Sequence, residues 1–422
     1  MTADPGKFAI LVGGGPAPGI NGVIAAAVLR VRQAGGEILG VRNGFSEIMQ
    51  GRGDGVHALS GSDVRGIHVR GGAVLGTSRA NPTKRPEDLE RVVQTLAGLG
   101  ITRLITIGGD DTAFSAMKVA EYAGARRSPL HVAHVPKTID NDLDLPPHID
   151  TFGFQTARHL GVELVRNLMA DARSTGRWYV VVAMGRKAGS LALGIGKAAG
   201  AALTLIPEEF AAGGRGSLDR IADTIVGAIV KRRAQGGRHG LAVLAEGVAE
   251  SIPEGELHRL GPVEHDEHGH IRLAEIDLGR GVRKVVEERL RALGIATGIV
   301  SKDIGYELRC ADPVPFDVEY TRDLGYCAAQ FLLDGGSGAM VSVQEGRFVP
   351  IPFSTMIDPA TGRTRVRTVD LTSLRYTVAR QYMTRLEQQD FSDSARLAAL
   401  SGQCAMDPGV FRDRFFYVVE GD

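Results

Sequence analysis

The chain has 422 residues, which is long enough for two or three domains and a large hydrophobic core. Its 49 lysines and arginines balance its 49 aspartates and glutamates, so no global field attracts it to nucleic acid or to an anionic membrane surface. Three cysteines without a close pair argue against a disulfide framework or a structural zinc site, and no apolar run reaches membrane-spanning length. We therefore predict a cytoplasmic protein with no nucleic acid or membrane partner.

Short apolar runs alternate with amphipathic segments along the chain. The apolar runs predict strands at residues 8–12, 37–41, 104–107, 131–135, 178–184, 203–206 and 240–245. The intervening segments predict helices at residues 22–33, 86–99, from about 112, 152–172, 189–200, 217–233, 281–293 and 315–333. This alternation predicts a parallel α/β architecture, closed by a hairpin of residues 339–344 and 347–349.

Two segments depart from this alternation. Residues 254–276 are polar and carry four histidines whose spacing fits no standard set of metal ligands, so we predict an exposed loop or hairpin insertion. Residues 366–422 predict a polar, helical C-terminal extension, to which the sequence assigns no chemistry.

Two glycine-rich loops have the composition of a phosphate cradle. The first, residues 13–21, includes Gly14 and Gly15 and joins a strand to a helix, but it matches neither G-x-G-x-x-G nor a P-loop. A tight strand-to-helix turn explains this loop equally well. The second, residues 71–79, ends in Arg79 beside two hydroxyl side chains, and this arginine is a candidate phosphate clamp.

A pair of carboxylates follows the predicted strand 104–107. Asp110 and Asp111 come directly after two glycines that let the backbone approach a phosphate closely. Two carboxylates would repel bare phosphate, but they suit a site where Mg²⁺ lies between carboxylate and phosphate. An ordinary helix N-cap is the alternative.

The densest group of reactive side chains is residues 137–142, which follow the apolar run 131–135. An ammonium group (Lys137), a hydroxyl and two carboxylates (Asp140 and Asp142) fall within six residues. One carboxylate in such a group suits a general base, and the other suits a metal-binding or orienting role. An Asx-rich surface turn is the alternative.

Taken together, these loops resemble the phosphofructokinase family, from the first strand to about residue 344. The resemblance rests on ordered motifs, at residues 14–21, 75–79, 108–111, 137–142, 184–186, 246 and 306–309. It implies two Rossmann-like parallel α/β domains with the active site in the cleft between them. By the same resemblance, residues 1–152 with about 308–365 bind the phosphoryl donor. Residues 153–307, including the polar insertion, bind the sugar phosphate.

Two positions resemble the diphosphate-dependent branch of this family. ATP-using members usually carry glycine where this chain has Asp111 and Lys137. A carboxylate at Asp111 would repel a nucleotide's α-phosphate, and Lys137 adds a cation beside the transferred group. The resemblance therefore implies reversible, Mg²⁺-dependent transfer from diphosphate to the C1 hydroxyl of fructose 6-phosphate. An ATP-dependent 6-phosphofructokinase is the alternative, and sedoheptulose 7-phosphate is a possible further acceptor.

The resemblance also implies individual roles at the donor end. Asp140 is the base, Thr138 and Asp142 orient the hydroxyl and the base, and Asp110 holds Mg²⁺. Gly14, Gly15 and Arg79 position the donor, and Asp111 also lies at the donor site. Lys137 and Asp111 count with Asp140, Thr138 and Asp142 as catalytic residues, Lys137 as the cation beside the transferred group.

At the acceptor end the implied sugar-phosphate contacts are Thr138, Ile139, Asp140, Met184, Gly185, Arg186, Glu246, Tyr306 and Arg309. Arg177 matches an arginine that reaches the sugar phosphate of a neighbouring subunit, which implies a homodimer or homotetramer. The family arginine that precedes Tyr306 has no clear match, and Lys302 is its candidate substitute.

Two readings from other classes remain. A lipid or dinucleotide kinase that shares only Gly-Gly-Asp would leave residues 137–142 and 184–186 unexplained. A catalytically silent sugar-phosphate sensor would have no need of the base Asp140.

Overall fold

The computed structural model describes residues 5–146, 148–211, 216–261, 276–360, 362 and 364–420. The chain divides into two compact units, Met1–Ala157 with Tyr306–Arg367 and Arg158–Gly305 with Thr368–Asp422. Among the described residues, no helix is long and apolar enough to cross a membrane.

The strands are β1 (Lys7–Val12), β2 (Glu37–Val41), β3 (Val56–Ala58), β4 (Arg103–Gly108), β5 (His131–Thr138), β6 (Phe152–Gly153), β7 (Trp178–Ala183), β8 (Leu203–Leu205), β9 (Gly240–Ala245), β10 (Ile299–Ile304), β11 (Ala339–Met340), β12 (Val343–Gln344), β13 (Arg347–Phe348) and β14 (Ile351–Pro352). The α-helices are α1 (Ile20–Gln33), α2 (Pro86–Gly98), α3 (Asp110–Ala125), α4 (Phe154–Thr175), α5 (Ser190–Ala199), α6 (Glu208–Ala211), α7 (Leu218–Ala234), α8 (Glu254–Leu257), α9 (Leu278–Ala292), α10 (Tyr306–Cys310), α11 (Pro315–Leu333), α12 (Leu374–Gln381), α13 (Gln388–Ser392), α14 (Ser394–Gly402) and α15 (Pro408–Phe415). Short 3-10 helices cover Ile48–Gln50, Ile67–Val69, Pro82–Lys84, Glu246–Ser251, Phe353–Thr355 and Phe416–Val418.

The sheet of the first unit has the order β14-β11-β5-β4-β1-β2-β3, and β6 also pairs with β5. Its central pairs are parallel, while β3 and β14 pair antiparallel at the two edges. The chain order reverses at β1, which has β2 on one side and β4 on the other. Open α/β sheets bind ligands at the carboxyl ends of the strands at such a reversal. The loops after β1, β4 and β5 are therefore the expected site of this unit.

The sheet of the second unit has the order β10-β7-β9-β8, with every pair parallel. Strands β7 and β9 are buried along their whole length. Continuous apolar strands of this kind are typical of parallel sheets that are covered on both faces. The parallel sheets in the two units confirm the predicted α/β fold class.

Strand β5 is longer than predicted. It runs three residues past Val135, through Pro136 to Thr138, because Lys137 and Thr138 pair in parallel with β6. Lys137 and Thr138 therefore lie inside the last part of a strand, rather than in a loop after it.

Strand β10 was missed because it is an edge strand. Lys302 and Asp303 are exposed on it, so its sequence lacks a continuous apolar run. The predicted hairpin is confirmed for β12 and β13, whereas β11 pairs in parallel with β5 and belongs to the larger sheet.

The predicted helical character of the C-terminal segment is confirmed by α12 to α15. Although the segment is polar overall, it contains a small apolar cluster, in which Phe391, Phe411 and Phe415 are buried and pack together. In the polar stretch 254–276, the structure describes the short helix α8, and residues 262–275 lie outside the described residues.

Candidate active site

The glycine-rich loop 13–21, a candidate phosphate cradle, lies beside the loop that ends in the candidate phosphate clamp Arg79. The Gly14 backbone N–H donates to the Ser78 carbonyl at 2.8 Å, and the Thr77 hydroxyl donates to the Gly14 carbonyl. The Gly13 N–H donates to the carbonyl of Ile107 at the end of β4, also at 2.8 Å. Backbone hydrogen bonds thus join the loop after β1 to the second glycine-rich loop and to the end of β4, and Arg79 directly follows Ser78.

Lys137 contacts the first of these loops. Its Nζ donates to the Gly15 carbonyl at 2.5 Å, and the side chain is 5% exposed. Gly14 has a φ of 80°, which glycine adopts without strain, and a Cβ at this position would lie 3.4 Å from Lys137 Nζ. The loop 13–21, which is predicted to position the phosphoryl donor and is called the donor loop below, therefore has a buried ammonium group against its backbone.

Arg309 brings a second cation to the same loop. Its Nη1 lies 2.9 Å from the position that a Cβ on Gly15 would occupy. Its guanidinium carbon is 4.6 Å from the centroid of the Tyr306 ring, within cation–π range. Both residues belong to the first unit, so an arginine predicted to hold the sugar phosphate lies against the predicted donor loop.

The carboxylate pair lies in the first turn of α3, which begins at Asp110. Asp111 is exposed, and Asp110 is partly exposed. A carboxylate near a helix N-terminus interacts favourably with the backbone dipoles there. The structure thus allows both the predicted metal-binding role and the ordinary first-turn role.

His134 supports the turn in front of α3, a role that was not predicted from the sequence. It is fully buried, and burial lowers its pKa to about 3, so the imidazole is neutral. Its Nε2 donates to the Gly108 carbonyl at 3.1 Å, and its Nδ1 accepts from the Thr106 hydroxyl at 2.8 Å. A histidine in the middle of an apolar strand was the available signal.

The carboxylate of Asp110 is a suitable protein ligand for Mg²⁺. The described parts of the chain contain no group of three or more His, Cys, Asp or Glu that could hold a metal ion. Mg²⁺ is usually bound by one or two carboxylates, several waters and the substrate's phosphates, so a complete protein cage is not expected. A hard carboxylate oxygen at a glycine-rich turn meets that requirement.

The segment that follows β5 is buried and tightly turned. Asp140, Asn141 and Asp142 are 6%, 5% and 7% exposed. The Asp140 N–H donates to the Thr138 hydroxyl at 3.0 Å, while the Thr138 carbonyl accepts from the Thr151 hydroxyl at 2.8 Å. Ile139 is buried as well.

Asn141 separates the two carboxylates with a φ of 57°. This left-handed conformation costs asparagine less than it costs other residues with a Cβ, and residues that hold it cluster at active sites. The backbone between Asp140 and Asp142 is therefore turned rather than extended.

The second unit brings together four of the predicted sugar-phosphate residues. Met184, Gly185 and Arg186 follow β7, and Glu246 follows the neighbouring strand β9. Glu246 Oε2 accepts from the backbone N–H groups of Gly185 and Arg186 at 3.3 and 3.4 Å. Arg186 has a φ of 47°, so this turn is also strained.

Arg177 and Lys302 do not join this group. Arg177 directly precedes β7, at the strand end opposite Met184, and its Nε lies 3.9 Å from an oxygen of Asp171. Lys302 is exposed within β10.

Known proteins resemble this chain over most of its length. The family model described as phosphofructokinase matches residues 7–332. A pyrophosphate–fructose 6-phosphate 1-phosphotransferase from Thermotoga maritima is 50% identical over 98% of this chain and 99% of its own length. One of the same name from Naegleria fowleri is 47% identical over 97% and 95%. The crystal structure of a pyrophosphate-dependent phosphofructokinase from Nitrosospira multiformis matches with a TM-score of 0.68 over 90% and 91% at 19% identity, a likeness in fold.

Proposed function

This chain belongs to the phosphofructokinase family, and we propose that it reversibly transfers a phosphoryl group from diphosphate to the C1 hydroxyl of fructose 6-phosphate. Two relatives that match almost the whole chain carry both substrates in their names. The structural observation behind the choice of donor is the Lys137 ammonium, which is hydrogen bonded to Gly15 in the donor loop. A cation at this place can stabilise charge on the transferred group without help from a nucleotide.

In the proposed mechanism the Asp140 carboxylate accepts the proton of the C1 hydroxyl. The hydroxyl oxygen attacks the terminal phosphorus of diphosphate, and orthophosphate leaves. Thr138 and Asp142 orient the hydroxyl and the base. Gly14, Gly15 and Arg79 position the donor, and their place at the carboxyl ends of β1 and its neighbours supports this assignment.

Asp110 is the proposed ligand of Mg²⁺. The ion, when bound with diphosphate, supplies neutralising charge on the phosphate oxygens. The cytoplasmic location predicted from the sequence stays a prediction, as does turnover of sedoheptulose 7-phosphate.

For the acceptor we propose Met184, Gly185, Arg186 and Glu246, which lie together after β7 and β9. Tyr306 and Arg309 are acceptor contacts only by the family resemblance, since the structure has Arg309 against the loop of Gly15 in the first unit. Arg177 lies at the other end of β7 from Met184. That position supports a role in a neighbouring subunit's site, and hence a homodimer or homotetramer.

Replacing Asp111 with glycine is expected to improve use of ATP by about one to two orders of magnitude. At an effective dielectric constant near 20, like charges about 4 Å apart repel by roughly 4 kcal/mol, which exposure and Mg²⁺ both reduce. Removing the exposed carboxylate relieves this repulsion and frees volume for an α-phosphate. The measurement is kcat/KM for ATP at constant fructose 6-phosphate.

The matched comparison is Lys137→Gly, alone and with Asp111→Gly. Diphosphate use is expected to fall more on losing Lys137 than on losing Asp111, because the ammonium acts on the transferred group itself. Background ATP turnover in the single and the double variant would mean that other residues exclude ATP.

The reaction is expected to run readily in both directions. Donor and product are both simple phosphates, so no nucleotide hydrolysis pulls the equilibrium strongly forward. Incubating fructose 1,6-bisphosphate with orthophosphate and Mg²⁺ should yield diphosphate and fructose 6-phosphate, and phosphorus-31 NMR measures the diphosphate directly. If no diphosphate forms while the forward reaction proceeds, the reversible assignment is wrong.

A further inference from the structure

Residues 365–367 lie antiparallel to the loop that follows Asp140. Leu143 and Val366 form an antiparallel bridge, and the Arg367 backbone N–H donates to the Asp142 carbonyl at 2.8 Å. This contact joins a segment near the end of the first unit to residues more than two hundred positions earlier. The loop after the proposed base is therefore held by a distant part of the chain.

The guanidinium group of Arg367 donates hydrogen bonds to oxygen atoms at both ends of this loop. Its Nε donates to the Asn141 carbonyl at 3.1 Å, and its Nη2 donates to Asn141 Oδ1. Its Nη1 lies 2.8 Å from the Ile149 carbonyl and 3.2 Å from the Pro146 carbonyl. Only arginine offers five N–H donors in a fixed plane; the three donors of lysine radiate from one point.

Asn141 is the residue whose conformation these bonds maintain. It holds a φ of 57° between the two buried carboxylates, a left-handed conformation that asparagine tolerates better than other residues with a Cβ and that hydrogen bonds to its side chain stabilise. Its side chain is also held by Asp150, at 2.9 Å, and by the Thr151 N–H, at 3.0 Å. Arg367 binds both the carbonyl and the side-chain oxygen of Asn141.

We infer that Arg367 is a positioning residue for phosphoryl transfer, which fixes the turn at Asn141 and with it the directions of Asp140 and Asp142. The inference rests on the proposed role of Asp140 as the base. Without the guanidinium, the turn relaxes and the base spends less time in the productive orientation. Because Arg367 acts through this turn and not on the substrates, its loss lowers kcat and leaves both KM values almost unchanged.

The test compares Arg367→Lys with Arg365→Gln. Arg365 is in the same segment and is exposed, and its Nη1 is 3.8 Å from an oxygen of Asp144, so it is a matched control. Arg367→Lys is expected to lower kcat about tenfold, since a small misplacement of a reacting group is costly. KM for diphosphate and for fructose 6-phosphate should stay within about twofold, and Arg365→Gln should match the wild type. A wild-type kcat for Arg367→Lys would overturn the inference.

A double-mutant cycle with Asp140→Ala distinguishes a positioning role of Arg367 from a general structural role. In an Asp140→Ala background there is no base left to orient, so Arg367→Lys should change the residual rate less than about twofold. A full tenfold further loss in that background would indicate a purely structural role and overturn the inference. If Asp140→Ala alone has wild-type activity, the assignment of the base fails instead.

Asn141→Gly is the alternative test variant if Arg367→Lys does not fold. Glycine adopts the same φ without strain but removes the Oδ1 acceptor. The variant should lose kcat while both KM values stay unchanged, and a wild-type kcat would overturn the inference.

Discussion

Replacing Asp140 with alanine is expected to lower kcat by about two to four orders of magnitude, which is the usual contribution of a positioned general base. The carboxylate lies just beyond β5, in a residue that is 6% exposed and whose backbone N–H is held by Thr138. No other residue in the proposed mechanism is assigned to accept the proton of the C1 hydroxyl. KM for fructose 6-phosphate should change little, because Asp140 is proposed to contact the C1 hydroxyl and the other acceptor contacts remain in place.

Asp144→Ala is the matched control for this variant. Asp144 is four residues farther along the same loop, and its oxygen is 3.8 Å from Arg365. It should retain activity within about twofold of the wild type, as surface substitutions usually do. An Asp140→Ala enzyme within tenfold of the wild type would assign the base to another residue.

Removing Mg²⁺ with a chelator is expected to abolish turnover. Charge neutralisation by a metal is worth several kcal/mol in phosphoryl transfer, which is about a hundredfold or more in rate. Initial rates in excess chelator, and again after Mg²⁺ is restored, measure the requirement. Full activity after exhaustive chelation would rule it out.

Asp110→Asn connects this requirement to one side chain. The amide keeps the shape of the carboxylate but loses its charge, so half-maximal activity should need more Mg²⁺ than in the wild type. An unchanged Mg²⁺ dependence would remove Asp110 from the proposed metal site.

The local motifs of the site could be predicted because short sequences determine them. The glycines after β1 and the acids in the first turn of α3 are compatible with few local structures. Both motifs lie where the sequence predicts them, at the carboxyl ends of β1 and β4. The extension of β5 to Thr138 could not be predicted, because proline usually interrupts a strand and the pairing partner β6 is only two residues long.

The residues that hold the site together come from distant parts of the chain. Lys137 Nζ contacts the carbonyl of Gly15 across 122 positions, and Arg367 contacts Asn141 across 226. Neither link leaves a periodic pattern in the sequence. Arg367 lies in a polar segment to which composition assigned no chemistry, and His134 resembles an ordinary core residue.

The most direct test of the proposed function is the choice of phosphoryl donor. Initial rates with fructose 6-phosphate should be measured side by side with diphosphate and with ATP, at equal donor and Mg²⁺ concentrations. We predict rapid formation of fructose 1,6-bisphosphate with diphosphate and background rates with ATP. Turnover with ATP that equals or exceeds turnover with diphosphate would contradict the assignment.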